Sequence, residues 1–148
     1  RRKGDKLIMP LQNFESLCNR NALQIVSKDK RNSQYHKAEN RNGAYVTHYR
    51  IDGVVITTGN RCDFLLLNED VKTAYLIELK GSDLVAAAEQ IEATEKTLKK
   101  ELCEYNLQYR IIANKCKTQE IHSSAYRRYQ LRWKGRLKQK TGFMEEDI

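Results

Sequence analysis

The stretch AYLIELKGSDLVAAAEQI, residues 74–91, decides the fold because it joins a strand to a helix through a charged pair. Its first four residues are apolar or aromatic, which is typical of a buried strand. Glu78 and Lys80 stand where that strand ends, and a helical repeat begins after the turn formers of 81–83. Side chains two residues apart on a strand point to the same face. We therefore expect Glu78 and Lys80 to lie side by side, with Leu79 pointing the other way into the core.

The segments on either side supply the remaining elements. Upstream, the residue pattern predicts a short helix over 11–23, a loop over 27–43, a β-hairpin of 45–49 and 54–57 about Asp52-Gly53, and a strand over 62–67. Downstream it predicts the helix over 83–104, a strand over 109–113, and a last helix over 123–140. Hairpins followed by a helical crossover to another strand give a mixed sheet. The order predicts one α/β domain over 1–148, with a central mixed β-sheet flanked by helices.

Cysteine spacing and hydropathy bear on the cellular compartment. The four cysteines form no C-x-x-C pair and the three histidines are scattered, which argues against a zinc cluster. No apolar run approaches the ~18 residues of a membrane-spanning helix. We therefore expect a cytoplasmic protein with reduced thiols and no membrane partner.

The positive charge is concentrated near the C-terminus. Residues 115–140 hold nine Lys or Arg and one acid, so the whole formal net charge of +8 lies in this segment. Such a block favours a polyanionic partner, although a solvated helix face or an anionic membrane surface would also accommodate it. The candidate phosphate contacts are Arg127, Arg128, Arg132, Lys134, Arg136 and Lys138. The aromatic residues between them, Tyr126, Tyr129 and Trp133, are expected to be core contacts rather than base-stacking surfaces.

Asp63 supplies a second acid for the site at Glu78. Residues 62–67 and 74–78 are joined by a short polar turn, so we expect antiparallel neighbours with Asp63 and Glu78 at the same sheet edge. Two carboxylates suit Mg²⁺, which also takes water and substrate phosphate oxygens. The adjacent Lys80 can orient an attacking water and stabilise charge on phosphorus. A second match to this pattern, DVK at 70–72, falls in the turn and is interpreted as solvated surface.

The two motifs, RCDF at 61–64 and IELKG at 77–81, resemble the PD-(D/E)xK nuclease superfamily. Its signature is an Asp at the start of one core strand and E-x-K on the next, and Cys62 replaces the Pro of the first motif. The resemblance implies a restriction-endonuclease-like core and a DNA-cutting enzyme that uses Mg²⁺ or Mn²⁺. It would make Asp63, Glu78 and the Leu79 carbonyl metal ligands, and Lys80 the catalytic lysine.

The resemblance also implies two further site residues. Many members carry a Gln in the helix after E-x-K, where Gln90 stands; it could instead only line the helix. Many carry an acid on the first helix, for which Glu15 is the candidate and Glu39 the rival. The resulting hypothesis is a metal-dependent endonuclease, and a homodimer would allow double-strand cutting. The alternatives are a nucleic-acid-binding module on the same fold that does not cut, and a domain that binds protein or membrane surfaces.

Overall fold

A computed structural model of the chain describes residues 11–80, 83–115 and 117–148. Residues 1–10, Gly81, Ser82 and Cys116 lie outside the described residues. The elements follow in the order β1 (Gln24–Lys28), β2 (Tyr35–Glu39), β3 (Val46–Arg50), β4 (Phe64–Asn68), β5 (Thr73–Lys80), α1 (Leu84–Thr97), β6 (Asn106–Ala113), α2 (Thr118–Ile121), α3 (Ser124–Arg132), β7 (Leu137–Thr141) and β8 (Phe143–Asp147).

The chain forms a single α/β domain with two sheets. The larger sheet has the order β3-β4-β5-β6-β7, and the smaller has the order β1-β2-β8. In the larger sheet β3, β4 and β5 are antiparallel neighbours, whereas β6 runs parallel to β5 and to β7. The step from β5 to β6 passes through α1, as a parallel connection requires. The mixed sheet expected from the sequence is thus confirmed, with a second sheet that was not expected.

The larger sheet is covered on both faces, so it has two apolar clusters. One cluster lies under the helices and joins Leu76 and Ile111 of the sheet to Leu84 and Ile91 of α1. The other lies between the sheets and contains these side chains: Ile25, Ala38, Val46, Phe64, Leu66, Tyr75, Ile77, Leu79, Ile112 and Met144. Burial on both faces explains why β4 is a continuous apolar run rather than an alternating one.

Helix α1 begins beside the end of β5 and is capped twice. The Asp83 carboxylate accepts a hydrogen bond from the backbone N–H of Ala86 at 2.9 Å. Glu120 of α2 accepts one from the N–H of Leu84 at 3.2 Å. Two acidic acceptors satisfy backbone donors at the positive end of the helix dipole. The helix ends at Thr97, so residues 98–104, which were expected to be helical, form turns.

Three predictions for the N-terminal half are wrong. Residues 11–23 form turns rather than a helix, and the backbone N–H of Leu17 donates to the carbonyl of His48 at 2.7 Å. Residues 27–43, expected to be a loop, contain most of the β1–β2 hairpin. Residues 54–57 form no strand; an isolated bridge from Asp52 to Ile56 closes a turn there, and β3 pairs with β4 instead.

The expected basic helix over 123–140 is also corrected. Helix α3 stops at Arg132, with Trp133 as its C-cap and Gly135 at φ +80° in the following turn. Glycine adopts this left-handed conformation without the Cβ clash of other residues. The chain then turns back as β7, which pairs with β6, and as β8, which joins the smaller sheet. None of the helices in the described part of the chain is long and apolar enough to cross a membrane.

Candidate active site

Asp63 and Glu78 face each other at one end of the β4–β5 pair. The register pairs Phe64 with Ile77, which puts Asp63 opposite Glu78. The backbone N–H of Asp63 donates to the Ile77 carbonyl at 3.1 Å. The backbone N–H of Leu79 donates to Oδ2 of Asp63 at 2.8 Å. The prediction that the two acids meet at this sheet edge is therefore confirmed.

Burial makes this pair of acids electrostatically unfavourable. Glu78 is 2% exposed, and its Oε1 has no hydrogen-bond partner among the described residues. Burial, and then the charge of Asp63, raise the pKa of Glu78 to about 9, and Lys80 opposes the rise. Burial also raises the pKa of Asp63, against the hydrogen bond from Leu79. Near neutral pH, Glu78 therefore holds a proton that it shares in a hydrogen bond with Asp63.

The side chains of Lys80 and Leu79 point to opposite faces of the sheet, because successive residues of a strand alternate between its faces. Leu79 is buried in the cluster between the sheets, whereas Lys80 is half-exposed on the side of Glu78. The backbone carbonyl of Lys80 accepts a hydrogen bond from Nε2 of Gln34 at 3.2 Å. The side chain of Lys80 thus remains accessible at the mouth of the site while its backbone is held in place.

Gln90 of α1 contacts the chain just before Asp63. Its Nε2 donates to the backbone carbonyl of Arg61 at 3.3 Å, two residues before Asp63. Its Oε1 is buried and has no hydrogen-bond partner within the described ranges. An unpaired buried acceptor is costly unless water or a cation meets it. Gln90 and Glu78 each present such an oxygen on the side of the sheet that α1 covers.

Sequence reasoning missed a third acid and two arginines at this edge. The charge of Asp52 raises the pKa of both Asp63 and Glu78, and Oδ1 of Asp52 accepts a hydrogen bond from Nε of Arg61 at 2.8 Å. The charge of Arg50 lowers the pKa of Asp63. Asp52 stands in an Asp-Gly pair, which indicates a turn, so its sequence context gave no sign of a site.

The two candidates for an additional acid lie elsewhere. Residues 11–23 contain no helix, so Glu15 does not lie on the helix that was expected to carry it. Its side chain is exposed in the turns before β1. Glu39 ends β2, where it accepts a hydrogen bond from Gln24 at 3.3 Å and lies 3.4 Å from Nζ of Lys37. That is the opposite end of β2 from Gln34, which contacts Lys80. The structure therefore gives neither glutamate a contact with the acid pair.

The oxygen donors at the site suit a hard cation better than a zinc ion. The described residues contain no group of three or more His, Cys, Asp or Glu side chains that could hold a metal ion. Mg²⁺ needs only one or two carboxylates, because water and substrate fill its other positions. Asp63, Glu78 and the Leu79 carbonyl are the residues that would hold it, and the unpaired Oε1 of Glu78 is consistent with that role.

The basic residues of the C-terminal segment divide into two groups. Arg127 and Arg128 are exposed on α3, and Lys134 is exposed in the turn that follows. Arg132, by contrast, forms an ion pair with Glu92 of α1. The other two also have partners: Arg136 donates to the carbonyl of Arg132 at 3.4 Å, and Lys138 lies 3.8 Å from Glu146.

The aromatic residues of this segment belong largely to the core. Tyr126 and Trp133 are buried, as expected, and Trp133 stacks on Tyr109 of β6 with 4.0 Å between ring centroids. Tyr129 is partly buried and donates a hydrogen bond to Glu92 at 3.2 Å. The predicted core role of these residues is confirmed.

Comparisons with models of protein families, with curated proteins and with solved structures find no match. The resemblance to the PD-(D/E)xK superfamily therefore rests on the motifs and the geometry of this chain alone.

Proposed function

We propose that this protein is a metal-dependent nuclease of the PD-(D/E)xK type that hydrolyses phosphodiester bonds of DNA. The observation that carries the proposal is the pairing of Asp63 with the buried Glu78. A buried acid in contact with a second, partly buried acid destabilises a fold unless a proton or a cation lies between them. The acid pair lies at a sheet edge beside the half-exposed Lys80. Cation binding explains this arrangement better than a contribution to folding stability does.

The residues of the site have separate roles in this proposal. Asp63, Glu78 and the Leu79 carbonyl would hold Mg²⁺ or Mn²⁺, which would supply positive charge near a phosphate oxygen and the attacking water. Lys80 orients that water in line with the scissile bond. Its ammonium also stabilises the negative charge that grows on the phosphoryl oxygens in the transition state. Gln90 would use its Oε1, which has no hydrogen-bond partner among the described residues, to contact the attacking water or the substrate.

The second candidate function is a nucleic-acid-binding module that does not cut. The exposed Arg127 and Arg128 favour it, since they need only phosphates as partners. However, Asp63 and Glu78 would repel a phosphate in the absence of a cation, so a pure binder gains nothing from them. In the nuclease proposal the protein is cytoplasmic, and a homodimer would present two sites to the two strands of a duplex.

The test of this proposal is the Lys80→Ala variant, assayed with labelled duplex, single-stranded and junction DNA in Mg²⁺, in Mn²⁺ and in EDTA. We expect wild-type cleavage that requires the cation, and a loss of about 100-fold or more in Lys80→Ala. The thermal melt and the DNA affinity should remain close to wild type, because the Lys80 side chain is half-exposed.

Lys100→Ala provides the matched control, since Lys100 is exposed in the turn between α1 and β6. It should cleave at the wild-type rate. Equal rates for Lys80→Ala and wild type would contradict the assignment of Lys80. A wild-type protein that binds every substrate and cuts none would favour the non-catalytic module.

A further inference from the structure

The backbone of Arg61 is fixed where the chain approaches the acid pair. Arg61 stands two residues before Asp63, and its carbonyl accepts a hydrogen bond from Nε2 of Gln90 at 3.3 Å. The next residue, Cys62, donates from its backbone N–H to the hydroxyl of Thr94 at 2.7 Å. Two side chains of α1 therefore hold this part of the chain in place.

The guanidinium group of Arg61 is held by two hydrogen bonds. Its Nε donates to Oδ1 of Asp52 at 2.8 Å, and its Nη1 donates to the carbonyl of Gly59 at 2.7 Å. The side chain is 27% exposed, and no residue that the structure describes accepts a hydrogen bond from Nη2. A planar guanidinium that is fixed at two nitrogens presents the third in a defined direction, and phosphate oxygens match its geometry.

Asp52 keeps this guanidinium close to the acid pair. The backbone N–H groups of Ile51 and Asp52 donate to the carbonyl of Asp63 at 2.8 and 3.4 Å. The charge of Asp52 also acts on both Asp63 and Glu78. The ion pair of Asp52 with Arg61 therefore lies at the same sheet edge as the acid pair.

The segment between the two members of this ion pair carries no negative charge. Residues 53–60 contain no Asp or Glu, and the residues that precede Arg61 include the exposed Thr57, Thr58 and Asn60. Hydroxyl and amide groups of this kind donate hydrogen bonds to phosphate oxygens. The turn that leads to Arg61 is therefore compatible with a nucleic-acid backbone.

We propose that Arg61 contacts a phosphate of the bound DNA through Nη2, next to the phosphate that is cut, and that Asp52 orients the guanidinium for this contact. The alternative is that Arg61 only closes the turn over 52–61, for which its bonds to Asp52 and Gly59 suffice. The inference deepens the proposed nuclease function and rests on it for the identity of the ligand.

The experiment measures binding of a labelled DNA duplex by fluorescence anisotropy over a range of NaCl concentrations at one fixed Mg²⁺ concentration. The full chain carries Lys80→Ala to suppress cleavage of the probe. Arg61→Gln should weaken binding by roughly 10-fold and reduce the salt slope by about one unit, because one charge-assisted phosphate contact is lost. Arg61→Lys should keep the slope but recover only part of the affinity, since lysine lacks the planar fork.

Asp52→Asn separates contact with DNA from closure of the turn. Asparagine can still accept a hydrogen bond from Nε of Arg61, and it removes a negative charge near the phosphates, so this variant should bind DNA at least as tightly as the parent. Arg41→Gln is the matched control, because Nε of Arg41 also donates to a carboxylate, that of Asp147, at 2.8 Å. Arg41 follows the end of β2 that lies opposite Gln34, and its substitution should leave both affinity and slope unchanged.

An unchanged salt slope in Arg61→Gln, an equal loss of slope in Arg41→Gln, or no DNA binding by the parent would each overturn the phosphate contact. Equal losses of affinity in Asp52→Asn and Arg61→Gln would assign both residues to closure of the turn. Cleavage with Lys80 intact judges the nuclease proposal separately. If that protein cuts nothing while Arg61→Gln still lowers the salt slope, the contact is supported and the nuclease is not. Cleavage by Arg61→Gln with wild-type kcat and KM does the reverse.

Discussion

Replacing Glu78 by glutamine in the metal-free protein tests the electrostatics of the acid pair. Glutamine keeps the shape of the side chain and can donate to Asp63, as the protonated glutamate does, but it carries no charge. Burial and then the charge of Asp63 raise the pKa of Glu78 from 4.5 to about 9. The folded wild-type protein therefore binds a proton more tightly than the unfolded chain does.

The sign and size of the effect follow from this difference in pKa. A raised folded-state pKa contributes stability that is fully present below pH 4.5 and is lost as the pH rises toward 9. Between these two values, each rise of one pH unit lowers the free energy of unfolding by about 1.4 kcal/mol. At pH ~7.5 the free energy of unfolding of the wild type should therefore be up to about 4 kcal/mol lower than at pH ~4.5. Glu78→Gln avoids this loss because glutamine does not ionise. We expect the variant to be about 2–4 kcal/mol more stable there and nearly equal to wild type at pH ~4.5.

The measurement is urea denaturation in EDTA at several pH values between these limits. Glu101→Gln is the matched control, because Glu101 is exposed in the turn after α1. It should change the free energy of unfolding by no more than about 0.5 kcal/mol at any pH. A difference between wild type and Glu78→Gln that does not vary with pH would refute the reasoning. So would a variant that is less stable at neutral pH.

Two further predictions concern the other charged residues. Burial alone would raise the pKa of Glu146, but hydrogen bonds with His36 and Arg110 outweigh it and lower that pKa to about 2. Glu146→Gln should cost about 3–5 kcal/mol at neutral pH by leaving Arg110 buried and unpaired. The cost should shrink as the pH falls from 4.5 toward 2, and denaturation curves showing a constant cost would contradict this. Neutralising Arg127 and Arg128 should reduce the salt dependence of DNA affinity by roughly one unit of slope per lost contact, whereas an unchanged slope would mean that they are only solvated.

The β4–β5 pair and its acids could be predicted from local sequence. A short polar turn, here residues 69–72, leaves two adjoining strands no arrangement but an antiparallel one. The two-residue period of a strand then puts Asp63 and Glu78 on one face. Asp83 marked the start of α1 for a similar reason, since its carboxylate caps a backbone donor three residues away.

The smaller sheet could not be predicted, because each of its strands carries only one or two large apolar or aromatic residues. In β1 and β2 the buried side chains include Ser27, His36 and Ala38, which are small or polar. His36 is accommodated by Glu146 of β8, 2.7 Å away and distant in sequence. The turn formers of 27–43 led to the wrong prediction of a loop, because composition cannot show what the flanking residues pair with.

The C-terminal segment shows the same limit. By itself the sequence determined that the positive charge is concentrated there and that its helix weakens at Gly135. Tertiary structure decided that the helix stops at Arg132, where Trp133 stacks on Tyr109 and the chain turns back. The return adds β7 to the larger sheet and β8 to the smaller, and puts Phe143 beside Tyr35. Local spacing determines a face and a turn, whereas only packing between segments distant in sequence determines which faces meet.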